Sequence, residues 1–326
     1  MPRIKFLRHV AVALAALVVG LGGPLASARA ESLPELTVMA PAKPGGGWDQ
    51  TARVLQEVLL ATGAAKTVTV ENVAGAGGTI GLAQFAGKKG SGDALMVGGL
   101  VMVGAVLTNQ SPVTLKDVTP IARLTGEFEV IVVPAASPFK TMADLVAAFK
   151  ADPGKTTWAG GSAGGTDQIL VGLIAKAVGA DPTSVNYIAY SGGGEALAAL
   201  LGNKVSAGVS GYGEFAGQIA SGELRALAIS SPERVASINI PTLREQGVAV
   251  DLANWRAVFA PPGIDAAQRT ALIAAIDTVH KSTQWQDVLK KRDWTDLYLS
   301  GDDFDKFLGE EVARVETTLR EIGLVQ

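Results

Sequence analysis

Two stretches of this chain repeat one order of residue types: Gly46-Gly47-Trp48-Asp49-Gln50 and Gly164-Gly165-Thr166-Asp167-Gln168. Each lies between a short apolar run and an apolar-periodic segment, so each is expected to end a strand and open a helix. A helix leaves its first four N–H groups unpaired, and its dipole adds partial positive charge there. Glycine lets a ligand reach that backbone without a Cβ in the way. The chemistry offered is capture of an anion by main-chain N–H groups, with no lysine required. Two such helix starts can grip one ligand, and Ser191-Gly192-Gly193-Gly194 supplies a third turn of the same kind. A carboxylate touching an anion would repel it, so Asp49 and Asp167 are expected to cap or order their loops. Trp48 is expected to wall the ligand and Ser162 to offer a hydroxyl. Thr166 is expected to donate to a ligand carboxylate. Lys43 is the only cation of the first loop; it either sits in solvent or pairs with a second carboxylate at the cleft mouth.

A catalytic alternative competes with binding. Gly160-Gly161-Ser162-Ala163-Gly164 fits G-x-S-x-G, the elbow that exposes a nucleophilic serine, with Asp251, Asp265 and His280 downstream. A secreted serine hydrolase using Ser162 is therefore the alternative. Against it, His280 falls late in an amphipathic helix, and no HGGG-like oxyanion segment occurs. Nucleotide loops fit poorly: Gly75-Ala76-Gly77-Gly78-Thr79-Ile80 lacks the last glycine of G-x-G-x-x-G, and no G-x-x-x-x-G-K-[ST] is present. With no Cys, and only His280 beyond residue 30, thiolate and histidine metal sites drop out. Neither cofactor nor metal is expected.

The elements that must hold these loops alternate. Strands are expected at 36–40, 67–71 and 94–97, with helices at 50–61 and from Ile80 to Phe85. A β-branched run at 127–134 reads as a strand crossing to a second half. There, strands ending near Ala159, Ala189, Val209 and Ile229 alternate with helices at 142–150, 167–178 and 195–201. A strand at 255–260 and three helices near 266–281, 284–292 and 303–322 close the chain, and these helices are expected to return to the first half. Such alternation implies parallel strands with crossover helices and a ligand crevice at the strands' carboxyl ends.

At 326 residues the chain is long enough for two domains. Residues 1–30 read as a secretory signal: Arg3, Lys5 and Arg8 precede the apolar run Val10 to Leu21, and Ala28-Arg29-Ala30 forms an A-x-A cleavage site. The mature chain is expected to begin at Glu31. Four of the 28 basic residues lie in that segment and none of the 31 acidic ones, so the mature chain carries about −7. That charge argues against nucleic acid as a partner.

Four stretches in order, Ala40 to Asp49, Ala159 to Asp167, Tyr190 to Ala196 and Asn254-Trp255-Arg256-Ala257-Val258-Phe259-Ala260-Pro261-Pro262-Gly263, resemble the substrate-binding receptors of tripartite tricarboxylate transporters, the TctC or Bug proteins. The likeness covers essentially the whole mature chain. It implies an α/β fold of the type II-like periplasmic binding proteins, with two lobes, a cleft between them and two crossing strands. Lobe 1 would be 31–132 plus 259–326 and lobe 2 133–258. The implied function is capture of an organic carboxylate, a tri- or dicarboxylate such as citrate or a C4-dicarboxylate, by a periplasmic monomer that delivers it to membrane permease subunits. Carried over by position, Gly46, Gly47, Trp48 and Asp49 face Ser162, Gly164, Gly165, Thr166 and Asp167 across one carboxylate. Gly99, Leu100, Val101, Tyr190, Ser191, Gly192, Ser210 and Gly211 would shape the distal side. Many relatives carry His where this chain has Gln168, which puts any ligand role for that side chain in doubt.

Overall fold

Short apolar runs form most of the strands, and among the described residues six of the ten α-helices have glycine as the N-cap. The computed structural model describes residues 32–190 and 192–325, so the expected signal segment and Ser191 lie outside the described residues. The first β-turn-α units are β1 (Leu36–Ala40), α1 (Gly47–Thr62), β2 (Val68–Asn72), α2 (Thr79–Ala86), β3 (Ala94–Gly99) and α3 (Leu100–Thr108). The long β4 (Thr119–Pro134) leads to α4 (Met142–Ala151), β5 (Thr157–Gly160), α5 (Thr166–Val178), β6 (Asn186–Ala189), α6 (Gly193–Leu201), β7 (Ala207–Gly211), α7 (Tyr212–Ser221) and β8 (Leu224–Ile229). Then come β9 (Ala253–Ala260), α8 (Ala266–His280), α9 (Thr283–Lys291), β10 (Thr295–Ser300) and α10 (Gly301–Glu321).

Pairing sorts these strands into two half-sheets joined through β4. In the first half β1 lies between β2 and β3, parallel to both, and β3 pairs antiparallel with β9. β9 pairs with β4 from Thr119 to Phe128, and β10 pairs with β4 between Ala122 and Gly126. Past Phe128 the neighbours of β4 change to β7 and β8, while β5 runs parallel between β7 and β6. The chain thus crosses once in β4 and again between β8 and β9, giving two α/β lobes with a cleft between them. Residues 253–258, grouped with the second lobe in the sequence division, pair in the first half-sheet, because β9 is one continuous antiparallel partner of β3 and β4.

Both faces of β3 are covered, so it reads as an unbroken apolar run. Val38 packs in one core with Val54, Leu55 and Val58 of α1 and Leu272 and Ile276 of α8. Met39, on the other face, joins Leu82 and Phe85 of α2 in a second core. The expectation that the C-terminal helices return to the first half holds for α8 and α9, which contact α1. It needs correction for α10, which contacts α3 and β4 but also α5. A 21-residue helix is about 30 Å long, enough to span both halves. Just past its end, Ile322 fills the space over Gly172, and Glu321 accepts from Lys176 Nζ at 2.6 Å.

Candidate functional site

The first turns of α1 and α5 open onto one cavity of about 900 Å³, which Gly46, Gly47, Trp48, Ser162, Gly165 and Thr166 help to line. Gly46 caps α1 with no side-chain acceptor, and the first backbone bond of the helix is Gln50 N–H to Gly46 at 2.9 Å. The N–H groups of Gly47, Trp48 and Asp49 precede that bond and have no helical partner. Asp49 is turned under the loop: its Oδ2 accepts from Gly45 N–H at 2.8 Å and Arg53 Nε at 3.0 Å, and its Oδ1 from Asn72 Nδ2 at 2.9 Å. Burial pushes its pKa up, but the Arg53, Gly45 and Asn72 bonds outweigh that and hold it at about 2. Gln50 ties the loop further, donating to Gly45 C=O at 3.0 Å and accepting from Arg292 Nη1 at 2.7 Å.

The second loop is braced in a parallel way. Gly165 caps α5 without a side-chain acceptor, and Gly161 N–H donates to Asp167 Oδ2 at 2.6 Å. Gln168 Oε1 accepts from Gly164 N–H at 2.9 Å, so this side chain braces the loop. Gly164 adopts φ +71°, and a Cβ there would meet Thr108 at 2.4 Å. Thr166 is only 2% exposed, and its hydroxyl has no hydrogen-bond partner in the protein. A buried unpaired hydroxyl in a cavity wall costs stability unless a ligand or water meets it.

Four carboxyl groups and one guanidinium converge beside these helix starts. Arg256, on β9, pairs with Glu127 of β4; their side chains are 9% and 15% exposed. The guanidinium also lies 5.0 Å from the Trp294 ring centroid, and that of Arg292 lies 5.2 Å from it. A Cβ on Gly47 would stand 2.8 Å from Arg256 Nη2, and one on Gly211 would stand 3.0 Å from the Glu127 carboxyl carbon. Glycine at both positions therefore makes room for this pair. Glu129, the next residue but one, is wholly buried, and neither of its oxygens meets a donor. It lies against Asp167, to which it can bond only if one of the two carries a proton. Burial, then the charges of Asp167, Glu127 and Glu214, push Glu129 well above the carboxylate range. Burial raises Asp167 too, the Gly161 N–H opposes it, Glu214 adds to it, and the result is about 7. Glu214 of α7 is raised by burial and by Glu127, with Ser210 and the Gly193 N–H opposing. The start of α6, read from sequence as a third anion turn, is thus already met by the protein's own Glu214.

The cavity gathers most of the residues singled out in the sequence. Gly46, Gly47, Trp48, Val101, Ser162, Gly165, Thr166, Asp167, Gly192, Ser210, Gly211 and the exposed Lys43 line it. Asp49 and Gly164 sit behind their loops, Leu100 is fully buried, and the half-buried Tyr190 packs against the apolar core of the second half. At Gly99 a Cβ would meet Trp255 C=O at 2.2 Å, so that glycine serves strand approach rather than the lining. Sequence reasoning missed Glu127, Glu214, Arg292 and Trp294; Asn254 and Arg256 entered only within a motif. His280 bonds Asp296 at 2.9 Å, stacks on Tyr298 and lies outside the lining that contains Ser162, so these residues form no triad with it. Among the described residues no acidic or histidine cluster has the grouping to hold a metal ion.

The Asp49 bonds carry a pH signature. Its folded pKa lies below the ordinary value, so its stabilisation is complete above the unfolded pKa near 3.9 and lost as pH falls through about 2. Asp49→Asn is expected to cost about 1 to 3 kcal/mol at pH 7. In thermal melts the gap between variant and parent should narrow between pH 4 and about 2; a gap constant with pH would contradict the assignment.

Comparison with known proteins agrees with this fold. The family model described as "Tripartite tricarboxylate transporter family receptor" matches residues 51–324. Protein BugT of Bordetella pertussis is 29% identical over 320 residues, 96% of this chain and 97% of BugT. A Rhodopseudomonas palustris protein solved with adipate superposes with a TM-score of 0.76 at 21% identity, covering 89% of this chain and 97% of that one. MatC from Rhodopseudomonas palustris with bound malate gives 0.71 at 22% identity, covering 88% and 99%.

Proposed function

Because this chain belongs to the tripartite tricarboxylate transporter receptor family, whose members are binding proteins rather than enzymes, we propose that it captures an organic carboxylate in the cleft and passes it to the membrane subunits of such a transporter. One observation carries the reading: two helix starts with unpaired N–H groups face one cavity, and the orphan Thr166 hydroxyl sits at the second of them. Relatives solved with adipate and malate, both dicarboxylates, support the ligand class. Among the described residues no helix is long and apolar enough to cross a membrane, so the membrane path is assigned to the permease subunits. The working place is the periplasm, reached through the signal segment at 1–30, and the working form is a monomer. The lobes, 31–132 plus 259–326 and 133–258 as divided from sequence but with 253–258 moved to the first, close on the ligand about the crossings in β4 and before β9.

A thermal-shift screen of mono-, di- and tricarboxylates, citrate and C4-dicarboxylates included, tests the reading, because a ligand that binds only the folded state raises its apparent stability. Thr166→Val sharpens the test. Removing a hydroxyl that has no partner should leave the unliganded protein as stable as before or slightly more so. Capture of the carboxylate should weaken by about 1 to 3 kcal/mol, the scale of a hydrogen bond to a charged group. An unchanged dissociation constant would take the ligand away from the α5 start.

A further inference from the structure

The walls of the cleft differ in charge. Lys43 and Arg292 line it beside the start of α1, on the first half. The second half presents Asp167 and Glu214, with Glu129 behind Asp167 and Glu127 below Gly211. The one guanidinium among these acids, Arg256, is already paired with Glu127. A ligand with one carboxylate finds a place at the uncapped helix starts. A second carboxylate finds none on the far wall, because Glu214 already bonds the α6 start there and repels another anion.

We propose, resting on the carboxylate reading above, that the ligand also carries a cationic nitrogen, an ammonium or a similar group rich in N–H, seated against Asp167 and Glu214. One observation independent of the acid count points the same way. Thr166 Oγ1, 2% exposed in residue terms and lining the cavity, has free lone pairs. An ammonium supplies three N–H donors and no acceptor, which suits the lone pairs of Thr166, Asp167 and Glu214. A metal ion would meet the same charge, but the acids do not group as metal ligands. The groups facing the subsite are Glu127 and Glu129 from β4, Asp167 from α5, Glu214 from α7, Ser210 from β7, Tyr187 from β6 and Arg256 from β9. With a cation seated there the acids ionise and release protons. With a second carboxylate there they must take protons up.

Paired probes on the mature protein decide it by calorimetry: succinate against β-alanine and glutarate against 4-aminobutanoate, each pair differing only in carboxylate versus ammonium at one end. Propionate and butanoate serve as controls. The amine of each pair is expected to bind about tenfold or more tighter than the diacid, with net proton release when titrated in two buffers of different ionisation enthalpy. Glu214→Gln should weaken the amines about tenfold and strengthen the diacids. Diacids binding as tightly as the amines, or proton uptake on amine binding, would overturn the proposal, and the unmodified protein shows both without recourse to the variant. If every carboxylate fails to bind, controls included, the carboxylate reading falls and this one with it; if plain diacids bind best, only this one falls.

Discussion

Arg256→Met is expected to lower folding stability by about 3 to 5 kcal/mol and to reduce ligand capture below detection, because removing one member of a buried ion pair strands the other. The stranded group is Glu127, which shares its surroundings with Glu129, Asp167 and Glu214. The substitution thus leaves four carboxyl groups without the one cation among them. The guanidinium also fills the space over Gly47 at the start of α1 and rests near Trp294, so its loss loosens the first ligand loop. Met keeps much of the length and apolar volume, so the loss measured is mainly electrostatic. Urea denaturation of Arg256→Met, Glu127→Gln and the double variant checks it. The double variant should regain most of the stability, since an ion pair replaced on both sides is often nearly neutral. Equal losses in the single and double variants would mean packing rather than charge.

Glu129→Gln should make the protein more stable, and only at neutral to alkaline pH. Glu129 and Asp167 are raised above their unfolded values, Asp167 to about 7. A raised carboxyl contributes stability that is complete below the unfolded pKa near 4 and is lost as pH rises through the folded one. Parent stability should therefore fall as pH rises from about 4 through about 7. A glutamine at 129 donates an N–H to Asp167 without needing a proton, which lets Asp167 ionise at lower pH. The melting curves of parent and variant should nearly coincide near pH 4 and separate by pH 8, the variant higher. A variant less stable at pH 8 would show that the pair is not a shared-proton contact. Asp49 shows the opposite behaviour although it also sits in a Gly-Gly-x-Asp-Gln loop, because Arg53 and Asn72 stand beside it and acids stand beside Asp167.

The local pattern determined much of this protein. Leu36 to Ala40, with Gly45 to Gly47 after four intervening residues, specifies a buried strand that turns into a helix, because an apolar run needs cover on both faces and the glycines leave the helix start open. The repeat of that pattern at Gly164 to Gln168 was enough to put two helix starts with unpaired N–H groups in one fold, and the four motifs were enough to indicate the family. The tertiary structure alone decided three other things. α3 carries nine residues without a polar face, buried against β3, β9 and α5, so no helical period marks it in the sequence. β10 becomes a strand by pairing with β4, a partner some 170 positions away. The charges of the cleft floor were equally hidden. Glu127 and Glu129 lie in a β-branched run, Arg256 in another strand and Glu214 in a helix. Only the passage of β4 through both half-sheets, with β9 beside it in the first and β7 in the second, brings them together. Side-chain periodicity reports which face of an element is apolar, but the sign of the potential in a cleft is a sum over residues far apart in sequence, and the fold performs that sum.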